Sequence, residues 1–305
     1  NLLTLSNVTD QRGDIRNYQA LHAAITASKP DLVFHMAAQP LVRASYNIPL
    51  ETMETNVMGT ANVLQACRNQ PSIKGVIVVT SDKCYENIEK PVRYVETDPM
   101  GGHDPYSASK GCAELVTHSF ARAFAADLPC VASVRAGNVI GGGDWALDRL
   151  IPNAARAMVS KQPITIRPNS IRPWQHVLEP LSGYLLLGQH MLEGNTYVAG
   201  SWNFGPDIDA TLSVGNVVTR LQKHMNFTHV NDDPHPHVHE AILLSIDSTK
   251  AYTNLAWSNV WNVDTMLQYT AEWYKAHLNG EVISQQQLAR YINDACFKKL
   301  AWTGS

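Results

Sequence analysis

The sequence predicts an α/β protein: a doubly wound, Rossmann-type parallel sheet with a smaller cap domain interleaved into it. Three observations predict it. Short, nearly continuous apolar runs alternate with amphipathic stretches, and after Asn138 a change of texture breaks that alternation. The first helix is expected over Asn17–Ser28. Asp31–Met36, bounded by Pro30 and by Ala37-Ala38, then reads as a strand. Leu50, Met53, Val57, Ala61, Leu64 and Cys67 recur at i, i+3/i+4 spacing, which predicts a second helix. Ile73–Thr80 and Val131–Val134 with its flanks are two further strands, apolar enough to be buried on both faces. A long helix over Tyr106–Ala126 separates them, with Leu115, Val116, Phe120 and Phe124 on a broad apolar face. Beyond Asn138, Gly141-Gly142-Gly143, Pro152, Pro163, Pro168 and Pro173 cut the chain into short pieces. Leu178–Met191 is again helical and Ser201–Phe204 again a strand. The expected division is a sheet domain of residues 1–136 and 173–205, and a cap of 137–172 and 206–305.

Composition narrows the function. Of 305 residues 45% are hydrophobic and 17% charged, which fits a sizeable core and not a disordered chain. With 27 acidic and 24 basic residues the net charge is −3, so a basic footprint for nucleic acid is absent. An anionic ligand must be small and held by a few placed arginines. The five cysteines form no C-x-x-C, which speaks against a disulfide framework or a cysteine zinc site and for a reducing, cytoplasmic setting. No apolar run reaches the ~18 residues of a membrane span.

Two motifs carry chemistry. Tyr106-Ser-Ala-Ser-Lys110 places a phenol and an amine four apart, on one helix face. Lowering a tyrosine pKa from ~10 to about 7 requires roughly 4 kcal/mol. One positive charge at ~4 Å in an effective dielectric of ~20 supplies about that much. Thr80-Ser81-Asp82-Lys83-Cys84-Tyr85 sets a hydroxyl, a carboxylate and an amine at the carboxyl end of a strand, where open α/β sheets bind ligands. The alternative readings are a solvated surface pair for the first motif and a local turn with an ion pair for the second.

Together these motifs resemble the extended short-chain dehydrogenase/reductase superfamily, and within it the CDP-glucose 4,6-dehydratase branch. The matching stretches are VFHMAAQPLVR (33–43), TNVMGT (55–60), TSDKCY (80–85), MGGHDPYSASKGCAE (100–114), VRAGNVIGGGDW (134–145), IRPWQHVLEPLSGY (171–184) and WNFGP (202–206). The resemblance implies an NAD-dependent lyase that turns CDP-D-glucose into its 4-keto-6-deoxy form, by C4 oxidation, loss of water from C5 and C6, and hydride return to C6. It implies Tyr106 as base for the 4-hydroxyl with Lys110 beside it, Ser81 on the 4-oxygen, and Asp82 as acid for the departing 6-hydroxyl. Lys83 stands where related dTDP-sugar dehydratases place a glutamate base. It acts either as a neutral base for the C5 proton or as a stabiliser of the enolate while water takes the proton. For the cofactor it implies Asp14-Ile15 at the adenine, and Ala37, Ala38, Gln39, Asn56, Thr80, Tyr106 and Lys110 along the dinucleotide. For the sugar nucleotide it implies Gln39, Asn138, Arg149 and Arg172, with Arg172 on the diphosphate and Arg167 as a weaker candidate. No glycine-rich phosphate turn precedes Asp14, so a further βαβ unit is expected upstream in the natural protein. Without it, NAD binding is expected to be weak and a sheet edge uncovered.

The Gly137–Gly143 stretch opens no βαβ crossover and is read as a loop at the domain boundary. His235, His237 and His239 below Asp232 and Asp233 could converge on a metal, but the resembled family needs none, so no metal is expected. The helices around Thr55–Cys67 and Tyr106–Ala126 are apolar on more than one face, which with the superfamily's habit predicts a homodimer or homotetramer. Resemblance places the product in dideoxysugar synthesis for the lipopolysaccharide O-antigen of a bacterial surface. The rival functions are a 4,6-dehydratase of GDP-mannose or dTDP-glucose, and a non-catalytic nucleotide-sugar or NAD-binding relative.

Overall fold

A computed structural model describes residues 7–231 and 243–304. Helix α1 (Tyr18–Ser28) starts where the Asn17 side chain accepts a hydrogen bond from Ala20 N at 3.1 Å, and stops at Lys29, which turns left-handed (φ 45°). Strand β1 (Leu32–His35) follows, then short helices α2 (Val42–Asn47) and α3 (Pro49–Met53). The single helix expected over 50–67 is interrupted. A π-helical turn at Glu54–Met58 separates α3 from α4 (Gly59–Cys67) and carries the buried Asn56. Strand β2 (Gly75–Val79), helix α5 (Pro105–Ala123) and strand β3 (Cys130–Ala136) complete the first half, close to where the apolar runs put them.

The chain then leaves the sheet through β4 (Asn138–Ile140), α6 (Leu150–Ser160) and β5 (Ile164–Thr165). It returns through β6 (Ile171–His176), α7 (Leu178–Leu192) and β7 (Gly200–Phe204). Strand β8 (Thr211–Ser213), α8 (Val214–Leu221) and β9 (His229–Val230) precede the last helices, α9 (Thr249–Leu255), α10 (Val263–Leu278) and α11 (Ser284–Phe297). The main sheet is parallel throughout, in the order β1-β2-β3-β7. Its side chains alternate in direction. Val76, Val78 and Val131 pack with Ile25, Val63 and Leu64 on one face, while Ile77, Ala132 and Val134 meet Tyr184, Leu187 and Met191 of α7 on the other. Both faces are therefore covered, which is why the strands read as unbroken apolar runs.

The cap has its own core, in which Ile140, Ile151, Trp174 and Leu221 meet Met266, Trp273 and Tyr274 of α10. It is held by the small sheet β4-β6-β8. The glycine loop is docked rather than loose: a Cβ on Gly142 would lie 2.0 Å from the Trp273 ring. The expected boundary at 206–305 needs correction in one place. Ala251, Leu255 and Trp257 pack beneath the sheet with Trp202 and Phe204, because the apolar under-face of β7 needs a cover. Among the described residues no helix is long and apolar enough to cross a membrane, and all five cysteines are unpaired.

Candidate active site

The carboxyl ends of β2 and β3 open into a cleft of about 990 Å³, with the sheet on one wall and the cap on the other. Thr80, Ser81, Asp82, Lys83 and Tyr106 line the sheet wall, and Asn138, Arg149, Arg167 and Arg172 lie on the cap side. Residues expected from two distant motifs thus meet in one place. Asp14, Ile15, Ala37, Ala38, Gln39, Asn56 and Lys110 are not in this lining.

Helix α5 positions the tyrosine. Asp104 caps it by accepting from Ser107 N at 2.9 Å and Ser107 Oγ at 2.6 Å, and Pro105 supplies a preset first turn. Tyr106 N donates to Ser45 Oγ at 3.2 Å, which fixes the start of the helix against α2. Tyr106 is buried, with the Ser81 hydroxyl near enough to favour its ionised form. Burial pushes its pKa up to about 12; the Ser81 hydroxyl and the Arg149 charge oppose this, and Asp82 and Asp104 reinforce it. Burial pushes Lys110 down to about 8, against the pull of Cys84 and Glu114, and its Nζ donates to Val79 O at 3.2 Å. Burial thus holds the Tyr106 phenol above its ordinary range, a contribution that the spacing of four between Tyr106 and Lys110 does not reveal.

Ser81 ends the strand in extended backbone and caps the short turn Asp82–Cys84, accepting from Lys83 N at 3.2 Å. Its hydroxyl donates to Asp82 Oδ1 at 3.0 Å. Asp82 is 2% exposed, and its Oδ2 has no hydrogen-bond partner. A buried carboxylate oxygen without a donor, on the floor of a cleft beside two hydroxyls, is placed to exchange a proton with a ligand. Lys83 lies next to it, half-buried.

The cofactor candidates divide into surface and scaffold. Met36 and Ala37 leave small apolar surface bare at the carboxyl end of β1, Met36 being 55% exposed. Gln39 and Asn56 are scaffold. Asn56 accepts from Gln39 N at 2.8 Å, donates to Gln39 O at 3.1 Å, and donates to Ser109 Oγ at 2.8 Å on α5. The Gln39 amide is used on Leu41 O and Thr52 Oγ1, and its Oε1 accepts from Leu41 N. Asp14 is exposed and held below the usual carboxylate range by hydrogen bonds from Arg16, while Ile15 packs against Gly59. A bare apolar strand end beside a buried tyrosine and lysine, with a buried carboxylate oxygen left unpaired, fits a nicotinamide dinucleotide.

On the cap side, Arg172 is buried and its Nη1 donates to Ile171 O at 2.9 Å. Arg149 pairs with Asp144 at 2.9 Å. Arg43 of α2 reaches Asp148 of the cap loop at 3.6 Å, an ion pair between the two walls. His235, His237, His239, Asp232 and Asp233 lie outside the described residues.

Three buried acids were not singled out from the sequence: Asp104, which caps α5, Glu114 and Glu179. Glu114, one helical turn beyond Lys110, is fully buried against Arg135 of β3 with a shortest contact of 2.7 Å. It also accepts from Thr80 Oγ1 at 2.5 Å and Ser133 Oγ at 2.7 Å. Its signal was present: Tyr106, Lys110 and Glu114 repeat at intervals of four, and Arg135 is a charge inside an apolar strand. Glu179 of α7 accepts from Val260 N, Trp261 N and Tyr291 Oη, and burial pushes its pKa up to about 7.

Comparison with known proteins agrees with this geometry. The family model described as GDP-mannose 4,6 dehydratase matches residues 4–270. The CDP-glucose 4,6-dehydratase of Salmonella typhimurium is 44% identical over 297 residues, covering 92% of this chain and 81% of the relative. Two solved structures share the fold. The dTDP-glucose 4,6-dehydratase of Bacillus anthracis in complex with NAD has a TM-score of 0.74 at 22% identity, covering 91% of this chain and 83% of that one. The UDP-glucose 4-epimerase of Thermotoga maritima with UDP-glucose has a TM-score of 0.77 at 18% identity, covering 90% and 86%. With its acid, hydroxyl and Tyr-Lys pair gathered at the end of a parallel strand, the chain belongs to the GDP-mannose 4,6 dehydratase family, which here includes the Salmonella CDP-glucose 4,6-dehydratase as a relative.

Proposed function

We propose that the protein is an NAD-dependent hydro-lyase that converts CDP-D-glucose to CDP-4-dehydro-6-deoxy-D-glucose. The observation that carries this reading is Asp82, a buried carboxylate with one unpaired oxygen beside Ser81 and Tyr106. Oxidation at C4 needs only the tyrosine and lysine, whereas removing the 6-hydroxyl needs a further acid at that place. Bound NAD would supply the hydride acceptor for C4 and the donor for C6, and its oxidised ring a positive charge near Tyr106.

The chain's own groups do the rest. Tyr106 takes the 4-hydroxyl proton, Ser81 holds the 4-oxygen, and Lys110 holds the strand end through Val79 O and keeps a positive charge nearby. Asp82 gives a proton to the departing 6-hydroxyl, which leaves as water. Removal of the C5 proton, and its return to C5 when hydride enters at C6, falls to Lys83 or to a water beside it. Arg172 meets the diphosphate, with Arg149 and Arg167 beside it, and Asn138 meets the hexose. The sheet unit, with α9 beneath it, holds the dinucleotide, and the cap holds the nucleotide sugar. Asp14-Ile15 and Ala37-Ala38 would line the dinucleotide, with Gln39 and Asn56 shaping that surface. Leu50, Met58 and Leu115 are more than half exposed on α3, the π turn and α5, which supports pairing of two copies through those helices. A cytoplasmic enzyme feeding dideoxysugar synthesis for a surface polysaccharide completes the reading.

Mass spectrometry of CDP-glucose, dTDP-glucose and GDP-mannose after incubation with the protein and NAD⁺ tests it. Loss of one water from CDP-glucose alone is the expected result. Loss from another sugar nucleotide instead reassigns the substrate, and no loss from any of them sinks the dehydratase reading.

A further inference from the structure

Glu114 does not itself line the cleft but bonds Thr80, which does, and among the described residues it is the most heavily bonded buried carboxylate. Arg135 donates to it twice, through Nε at 2.9 Å and Nη2 at 2.7 Å, and Ser133 and Thr80 add hydroxyls. Arg135 is in turn held by Tyr85 Oη at 2.7 Å and Ser201 Oγ at 2.9 Å. A buried ion pair is poor evidence for stability, because desolvation cancels most of the attraction. Its position suggests another use. Helix α5 grips the end of β2 at two consecutive residues: Lys110 holds Val79 O and Glu114 holds Thr80 Oγ1. The next two residues are Ser81 and Asp82. We propose that Glu114 is a positioning residue for the dehydration: through Thr80 it sets where Ser81 and Asp82 stand relative to Tyr106, and one helical turn from Lys110 it sets a negative charge beside that amine. This inference rests on the functional reading above.

Lys110 is faced by Glu114 and Tyr106 on its own helix, by His35 of β1, and by Cys84 of the turn after β2. Glu114 is faced by Arg135 of β3, and by His118, whose Nε2 is 3.7 Å away. Burial drives His35 down to about 4 and His118 below its usual value, and drives Cys84 well above its own. Those three are neutral near pH 8, so Glu114 is the one anion among these groups that favours protonated Lys110 there. Activity that needs the ammonium falls as pH rises through the Lys110 pKa. Removing the Glu114 charge moves that fall to lower pH.

The test compares wild type with Glu114→Gln, Glu114→Asp and Thr80→Val, each assayed for CDP-glucose turnover across pH. For Glu114→Gln the expected result is a kcat loss of about 10–100-fold, the scale of a small misplacement. KM should change less than about threefold, and the alkaline limb should move to lower pH. Glu114→Asp keeps the charge and should keep the limb where wild type has it. Thr80→Val, which removes the hydroxyl's bonds to Glu114 and Val134 O and keeps the side chain's shape, should lose kcat without losing thermal stability. Wild-type kcat in Glu114→Gln overturns the proposal, as does an unmoved alkaline limb. Should Glu114→Gln fail to fold around an unpaired Arg135, the Glu114→Gln/Arg135→Gln double variant and Thr80→Val decide in its place, and wild-type kcat in both overturns the proposal. Failure of the functional reading shows separately, as absence of wild-type turnover. In that event the midpoint of the Lys110 ¹³Cε resonance, followed by NMR in wild type and Glu114→Gln, decides: a lower midpoint in the variant supports the proposal and an equal one overturns it.

Discussion

The two walls of the cleft are built on different principles. On the sheet wall nearly every polar atom near Tyr106 is committed: Ser45 to the helix start, Asn56 to Gln39 and Ser109, Glu114 to Thr80 and Arg135, Lys110 to Val79. The exception is Asp82 Oδ2. On the cap wall, the Asp144–Arg149 and Arg43–Asp148 pairs are partly exposed, and Asp148 sits in left-handed backbone at φ 59°. Under the proposed function, proton transfer, which tolerates little misplacement, falls on the committed, buried wall. Recognition of the diphosphate falls on the wall of partly exposed ion pairs.

That contrast can be broken by experiment. The largest effect is expected on the sheet wall, where Tyr106→Phe should cut kcat by about 10³–10⁴-fold and leave CDP-glucose binding within about threefold. Steady-state kinetics beside calorimetric binding would show it, and a modest kcat loss would mean that the committed wall is not the reacting one. Next comes Glu179, behind the cleft. Its folded pKa lies above its ordinary value, so its contribution is complete below about pH 4.5 and is lost as pH rises through about 7. Glu179→Gln should remove a stability slope of roughly 3 kcal/mol between pH 4.5 and 7.5, read from urea unfolding. On the cap wall Arg172→Ala should raise KM about 10–100-fold with kcat changed less than fivefold, the scale of a charge-assisted contact to phosphate. A kcat loss without a KM change would contradict a recognition role. The smallest effect belongs to Arg43→Ala, which breaks the pair between the walls: less than about 1 kcal/mol in stability and a two- to threefold change in KM.

How much could be read from the amino acids follows the same contrast. Strands β1, β2 and β3 were legible because burial on both faces leaves an unbroken apolar run, and α1 and α7 because their periodicity is clean. The π turn at Glu54–Met58 was not, since one extra residue per turn leaves the apolar spacing almost unchanged. The catalytic candidates were legible as two short motifs, and the cleft brings Ser81, Asp82 and Tyr106 together. The pairing of Glu114 with Arg135 was not, because it depends on which strand lies against which helix. Nor was the state of Tyr106 at about 12: spacing gives the neighbouring cation but not the burial that opposes it. Gln39 shows the converse, since a residue type suited to a ligand is used to shape its own loop.

The cap core has a consequence for how the protein is made. Ile140, Ile151 and Trp174 are buried against Met266, Trp273 and Tyr274, about one hundred residues later in the chain. At a synthesis rate of about 5–20 residues per second, the first group waits roughly 5–20 s on the ribosome before its cover exists. The core of Ile25, Val63, Leu64, Val76 and Val131 is complete long before that. A nascent chain therefore carries a finished half-sheet and an open apolar cap, and a stop codon anywhere before Trp273 leaves that surface bare for chaperones and proteases to find.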